Sequence, residues 1–382
     1  MTSRQRVLNT LNHEPTDRMP IDLGMHNSTG ISAFAYWRLR EYLGLPVHTV
    51  DAPDINQMLA RVEDDVLQRF HCDCIMLAPP WPRPHIWEPR PPFRFRFPDT
   101  AQPRRRADGS WVMERGGETL WMPANGYFFQ GGWGDFAESD PDARLRAVAV
   151  EAERIYRETS YFTTYLDNFF GYCGADSPEW GCRAILEPAA VYAENAAVNK
   201  RQLAHAGKVV EALAPWVQAV CFNSDLGWQG GPMIRPSLYQ AICAPFVKSI
   251  CDFIHANSDM KVFMHSCGAI KPLIPILIEC GIDALNPVQI AAADMRPADL
   301  KREFGPRITF WGGGCDTQHV LPVASPAEIS AHVRENVHAF APGGGYVFNQ
   351  VHNILGDVRP ESIVAMYDTA YAEAFAFSQN VV

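Results

Sequence analysis

Residues 261–268 read Lys-Val-Phe-Met-His-Ser-Cys-Gly. The apolar run Val262-Phe263-Met264 is too short for a helix and stops abruptly at His265, Ser266, Cys267 and a glycine, so it predicts a buried strand ending in a polar turn. Four further runs of the same kind flank it, at residues 217–222, 283–286, 308–311 and 346–349. Longer helical patterns fill the gaps. Pro236 opens one that extends to about residue 256, Gly281 closes another over 270–280, and Pro297, Pro326 and Pro360 each open one more. Strands alternating with helices are the mark of βα units and a parallel sheet, the α/β class.

Three earlier runs, at 19–23, 74–77 and 161–166, bring the strand number to eight. Eight such units in a chain of 382 residues predict a (β/α)8 TIM barrel, with residues 1–382 forming a single domain. Residues 79–135 interrupt the pattern with a stretch rich in proline and aromatic residues, where 93–97, 110–115 and 119–122 predict an antiparallel β-meander. Too few regularly spaced apolar residues lie there for a separate core, so the stretch is expected to be a loop insertion after the second strand.

Composition excludes several classes of function. A formal net charge of -10, with no basic run longer than Arg104-Arg105-Arg106, offers nothing to attract nucleic acid or anionic lipid. No stretch approaches the ~18 consecutive apolar residues of a membrane span. The opening residues lead directly into an amphipathic pattern at Val7, Leu8 and Leu11 without a secretory apolar segment, and the ten cysteines are scattered, so a cytoplasmic protein with free thiols is expected. The paired glycines Gly230-Gly231 and the run 343–345 read as turns, and no phosphate-cradling loop is present.

In a parallel barrel the C-terminal ends of the strands carry the chemistry. His265 and Cys267 stand at one such end; Cys315 follows the glycines 312–314 at another; His352 follows residues 346–349 at the last. Imidazole and thiolate suit zinc, which in catalytic sites takes three protein ligands and keeps one open position, so four candidates compete for three places. The competing reading makes 312–314 a plain tight turn and His352 a hydrogen-bonding residue. Asp22 and Asp225, also near strand ends, are candidate acids, bases or orienting groups, or else caps of the turns that follow. Cys72 and Cys74 begin a strand and read as packing, while Arg83, Arg90, Arg94 and Arg96, interleaved with Trp81, Trp87 and Phe95, either bind carboxylates or are solvated edge charge.

Several segments together carry a resemblance: Ser3-Arg4-Gln5-Arg6-Val7-Leu8, Pro15-Thr16-Asp17-Arg18-Met19-Pro20, Asn223-Ser224-Asp225-Leu226-Gly227, His265-Ser266-Cys267-Gly268, and the stretches 311–318 and 346–354. Over nearly its full length the chain resembles the uroporphyrinogen decarboxylase superfamily, whose fold is a TIM barrel and which includes cobalamin-dependent methyltransferases acting on methanol-, methylamine- and chloromethane-derived methyl groups. The decarboxylase branch carries a basic, glycine-containing segment after the first strand and an aspartate closing the second. Here those places hold Gly24-Met25-His26-Asn27-Ser28 and Ala78-Pro79-Pro80. The methyltransferase branch carries H-x-C after the fifth strand, matched by His265 and Cys267, and a further cysteine after the eighth, where this chain has His352 with Cys315 one strand earlier as the substitute.

The resemblance therefore implies zinc held by His265, Cys267 and either His352 or Cys315. It implies transfer of a methyl group between a small methylated compound or thiol and a corrinoid supplied by a partner protein, in a monomer or homodimer. Asp225 and Asp22 are the expected catalytic residues, and His26, Asn223, Asn349 and Asn353 the expected substrate-binding ones. Two alternatives stand beside it: a metal-free decarboxylase or lyase of the uroporphyrinogen decarboxylase type, and a non-catalytic small-molecule-binding barrel.

Overall fold

The computed structural model of the protein describes residues 1–132, 136, 140–170, 172–174 and 177–377. Six parallel strands form its main sheet, in the order Tyr346–Val347, Thr309–Trp311, Ala284–Asn286, Lys261–His265, Ala219–Asn223 and Thr164–Phe170. Successive strand residues point to opposite faces, and the sequence sorts cleanly by that rule. Ala219, Cys221, Phe263, Ala284, Trp311 and Val347 gather in a small inner cluster with Phe162, Cys74 and Met25, plugged by Val7 and Leu11 of the helix Ser3–Leu11. Their neighbours Val220, Phe222, Val262, Met264, Leu285 and Phe310 join the larger cluster shared with the helices. Both faces of the sheet are thus covered, which is why its strands read as continuous apolar runs.

Hydrogen bonds continue from both edges of this sheet. Phe348 N–H donates to Pro20 O and Asp22 N–H to Phe348 O, each at 2.9 Å; Asp73 N–H donates to Ile21 O at 2.7 Å; Phe162 N–H donates to Asp73 O at 2.9 Å and Ile75 N–H to Phe162 O at 3.0 Å. The runs expected as strands at 19–23 and 74–77 are therefore single parallel bridges, Ile21 to Phe348 and Cys74 to Phe162. Their ladder stops short because Pro20 has no N–H and because the Ile21 N–H is taken by the Asp73 carboxylate at 2.9 Å.

Helices follow the strands much as the punctuation predicts, with local differences. The helix expected from Pro236 breaks into Pro236–Ile242 and Ala244–Asn257, since Pro245 cannot sit mid-helix and instead occupies a first turn. The stretch from 270 begins as a 3-10 turn, Lys271–Leu273, before Ile274–Cys280, which Gly281 ends at φ +94°. Pro326–Phe340 is opened by a capping box between Ser325 and Glu328.

The meander expected within 79–135 is divided. Phe95–Pro98 pairs antiparallel with Pro84–Trp87 and parallel with Val50–Asp51, while Arg104–Arg105, Trp111–Arg115 and Glu118–Met122 make a separate three-stranded antiparallel sheet. Phe93, Phe95 and Phe97 are buried in the larger core cluster, which removes 93–97 from the meander: its alternating aromatics face the helix Ala33–Tyr42, with Phe34 meeting Phe93 and Phe95 edge-on at 4.9 and 4.7 Å. Residues 133–135, at the end of the expected insertion, lie outside the described residues.

Candidate metal centre

Register brings three polar side chains to one level. Asn223 and Asn286 are the register partners of His265 on the two neighbouring strands, at the C-terminal ends and on the face of the small inner cluster. The turn after His265 is then pinned: Ser266 N–H donates to Asn286 O at 2.8 Å, Leu226 N–H to Ser266 Oγ at 3.0 Å, Cys267 N–H to Asp225 Oδ1 at 2.8 Å and Gly268 N–H to Gln289 Oε1 at 2.9 Å. Gly268, at φ +87°, presses on Gly227 so closely that a Cβ would stand 2.2 Å from the Gly227 carbonyl carbon. Only glycine permits that approach, and it directs Cys267 back toward His265, with Sγ 3.6 Å from Nε2.

His352 arrives from the other side. Its backbone is left-handed at φ +61°, uncommon for a residue with a Cβ and found preferentially at functional positions. One ligand atom from each of His265, Cys267 and His352 lies within 4.8 Å of the others, the only such group of three or more among the described residues. Nδ1 of His265 is 2.9 Å from Asn286 Oδ1, an oxygen that can only accept, so Nδ1 carries the proton and Nε2 presents its lone pair to the group. Ser28 Oγ donates to the same Asn286 oxygen at 2.6 Å, and Asn286 Nδ2 donates to Trp311 O at 3.1 Å, which fixes the amide.

Burial, reinforced by His265, lowers the His352 imidazole to about 4, and burial with the nearby Asp225 carboxylate pushes the Cys267 thiol up. At pH 7 His352 is accordingly neutral, with a lone pair to offer, and Cys267 is a thiol ready to lose its proton to a metal. Two imidazoles and one thiolate are a borderline-soft set that zinc accepts, and three ligands leave one position free.

Residues 203–372, which contain every member of this group, match the family model of uroporphyrinogen decarboxylase (URO-D). Over that stretch the chain is similar to the uroporphyrinogen decarboxylase family. No curated protein matches it. Among solved structures it is similar to a methyltransferase from Methanosarcina mazei, 12% identical, with a TM-score of 0.58 over 97% of this chain and 99% of that one. At that identity the likeness is one of fold. A glycoside hydrolase family 5 enzyme from Prevotella bryantii, 13% identical over 62% of this chain and 78% of that one, has a TM-score of only 0.39 and carries no argument.

The remaining candidates are distributed around the group. Asp225 is exposed, its Oδ1 3.6 Å from His265 Nε2. Asn223 is half-buried, with Cys221 Sγ donating to its Oδ1 at 3.4 Å. His26 is fully buried behind His265 at a ring separation of 5.9 Å, its Nδ1 2.6 Å from Ser28 Oγ and its Nε2 3.1 Å from Cys221 Sγ. Both ring nitrogens are thus engaged within the protein.

Asp22, Asn349 and Asn353 also hold the frame. The Asp22 carboxylate is fully buried, accepts from Trp311 Nε1 at 2.9 Å and Met25 N–H at 3.0 Å, and is pushed up to about 6 by burial. Asn349 Nδ2 donates to Asp22 O at 3.0 Å. Asn353 accepts from Gly30 N–H at 2.7 Å and donates to Asn27 O and Gln57 Oε1, both at 2.9 Å.

Cys315 lies outside the group. Gly312 at φ +118° and Gly313 at φ +70° swing the chain away from the strand axis, Val351 N–H donates to Cys315 O at 2.8 Å, and the thiol ends fully buried in the larger apolar cluster. Asn286, Ser28 and Gln289 were not among the expected site residues. Asn286 had a legible signal, the last place of a strand, whereas Ser28 and Gln289 act through loops whose paths the sequence does not encode locally.

Proposed function

We propose that the protein is a zinc-dependent methyltransferase, moving a methyl group between a small methylated compound or thiol and a corrinoid carried by a partner protein. The reading places it in the cytoplasm, as one domain over residues 1–382 on a closed (β/α)8 barrel, with 79–135 inserted after the second strand. The observation that carries it is the convergence of His265, Cys267 and His352 within 4.8 Å at the strand ends. The full-length likeness in fold to a protein described as a methyltransferase supports it. So does the sequence at 24–28, which holds no arginine where a tetrapyrrole carboxylate would have to be bound.

Zinc in this group would supply a Lewis acid that makes a thiol, or a methyl-bearing heteroatom, reactive at neutral pH. Asn286 keeps the His265 ring in the tautomer that offers Nε2. Asp225, exposed and within 3.6 Å of that nitrogen, is placed to accept the proton of an incoming thiol. The pinned turn 266–268 holds Cys267 so that no reorganisation is needed when substrate enters.

Elemental analysis of untagged protein supplied with zinc tests the reading. Wild type and Cys315→Ala are expected to hold about one zinc per chain, and Cys267→Ala and His352→Ala to lose it. A wild type without zinc under those conditions would leave a metal-free lyase as the better account.

A further inference from the structure

Arginines around the helix Ala33–Tyr42 and its aromatic neighbours are, with two exceptions, matched to acids. Arg40 pairs with Asp65 and Glu63, Arg96 with Asp51, Arg94 with Glu88 and Arg83 with Asp99. Arg38 and Arg90 have no carboxylate partner among the described residues. They nevertheless face one ring: the guanidinium carbons lie 5.8 and 5.2 Å from the centroid of Tyr127. Arg90 is anchored, its Nη1 donating to Ala124 O at 3.2 Å and Gly126 O at 3.0 Å while Phe34 and Phe93 flank it at 4.5 and 5.6 Å. Arg38 is not anchored; its Nη2 is buried with no hydrogen-bond partner.

Stacking on aromatic rings accounts for Arg90 but leaves Arg38 unexplained, since a buried guanidinium nitrogen without an acceptor beside a second cation is doubly unfavourable. We propose that Arg38 and Arg90 form a binding site over Tyr127 for an oxyanion, a phosphate or carboxylate group. A planar fork with free N–H donors matches either group in bidentate geometry, and the second cation adds to the attraction. Both side chains are half-buried, and the unpartnered Arg38 Nη2 lies on their buried side. Burial, and then the Arg38 charge, lower the Arg90 guanidinium from its usual range, a cost that an anion between them would remove. Tyr127 packs flat against Gly356, where a Cβ would be 2.4 Å from its Cγ, so the site rests on the loop that follows His352. The inference is independent of zinc and of methyl transfer.

The test uses the full chain with inorganic phosphate or acetate as probe, against sodium chloride at matched ionic strength, by titration calorimetry and thermal melting. Saturable binding of at least one of the two anions is expected, with a rise in Tm of about 2 °C at tenfold the Kd. Arg38→Gln should weaken that binding at least tenfold, and Arg38→Lys, which keeps the charge without the fork, should fall between. Preference for phosphate or for acetate identifies which oxyanion group the site takes. If Arg38→Gln fails to fold, the comparison rests on Arg38→Lys. Absence of saturable binding to wild type, or equal affinity in the Arg38 variants that fold, overturns the proposal.

Discussion

At the scale of single residues, the metal group depends on a side chain that is not a ligand. Asn286 gives His265 its tautomer, and Ser28 and the Trp311 carbonyl hold Asn286. Removing such a support ordinarily costs 10–100-fold in metal affinity. Asn286→Ala is expected to lower zinc affinity by about that factor in a chelator competition, while Asn286→Asp, which keeps the acceptor oxygen for His265 but loses the donor to the Trp311 carbonyl, should lose less affinity than Asn286→Ala. Asp22 makes a different prediction. Its folded value of about 6 stands above the ordinary carboxylate range near 4, so between those values the folded state holds a proton that the unfolded chain has lost. Folding is therefore favoured as pH falls from about 6 to about 4, and burial of the ionised group is a cost, on the order of 2–3 kcal/mol, above 6. Denaturant midpoints for wild type against Asp22→Asn across pH 4–7 should show wild type gaining relative stability on acidification. Parallel curves would show that the Asp22 carboxylate does not titrate as described.

At the scale of elements, the decisive piece is the turn after the strand Lys261–His265. Gly268 meets Gly227 backbone to backbone, and Gly227 in turn has Ile270 Cγ2 2.6 Å from where its own Cβ would be. Neither obstruction is the loose end of a flexible side chain. Gly268→Ala must both adopt φ +87° and push the 226–228 segment away, at a cost of roughly 2–4 kcal/mol. Because the displaced turn carries Cys267, zinc content should fall along with stability. A variant that keeps full zinc while losing stability would separate the turn from the site.

For the whole molecule, continuity of the hydrogen-bonded framework rests on a buried ion cluster. Asp73 is fully buried, receives Arg18 through two hydrogen bonds at 2.8 and 2.9 Å, pairs with Arg6 from the first helix, and accepts from Ile21 N–H. It thus joins the N-terminal helix to residues 20–22 and 73–75, where the strand ladder is thinnest. Losing one member of such a cluster leaves buried charge without compensation, typically 3–5 kcal/mol. Asp73→Ala should lower urea stability by that amount and loosen the N-terminal helix, seen as faster amide exchange over residues 3–11. Equal protection there in both proteins would show that the helix is held by Val7 and Leu11 alone.

Five strands of the sheet and the helices after them were legible because each was specified locally, by an apolar run of fixed length between proline, glycine and capping signals. His265 and Cys267 were legible for the same reason, as neighbours at a strand end. The thin bridges at Ile21 and Cys74 were not, since their pairing depends on Asp73, 52 residues from Ile21, supplying an acceptor in place of a carbonyl. The choice between Cys315 and His352 was equally out of reach: both follow strand ends, and only the glycine-led swing at 312–314 and the left-handed backbone at His352 send one thiol into the core and one imidazole to the group. Sequence alone determined where five strands of the sheet and the helices after them lie and which chemistry the strand ends offer, because those follow from local periodicity and residue type. Tertiary structure decided which of those groups meet and what supports them, because side chains far apart in the chain are brought within bonding distance only by register, loop path and packing.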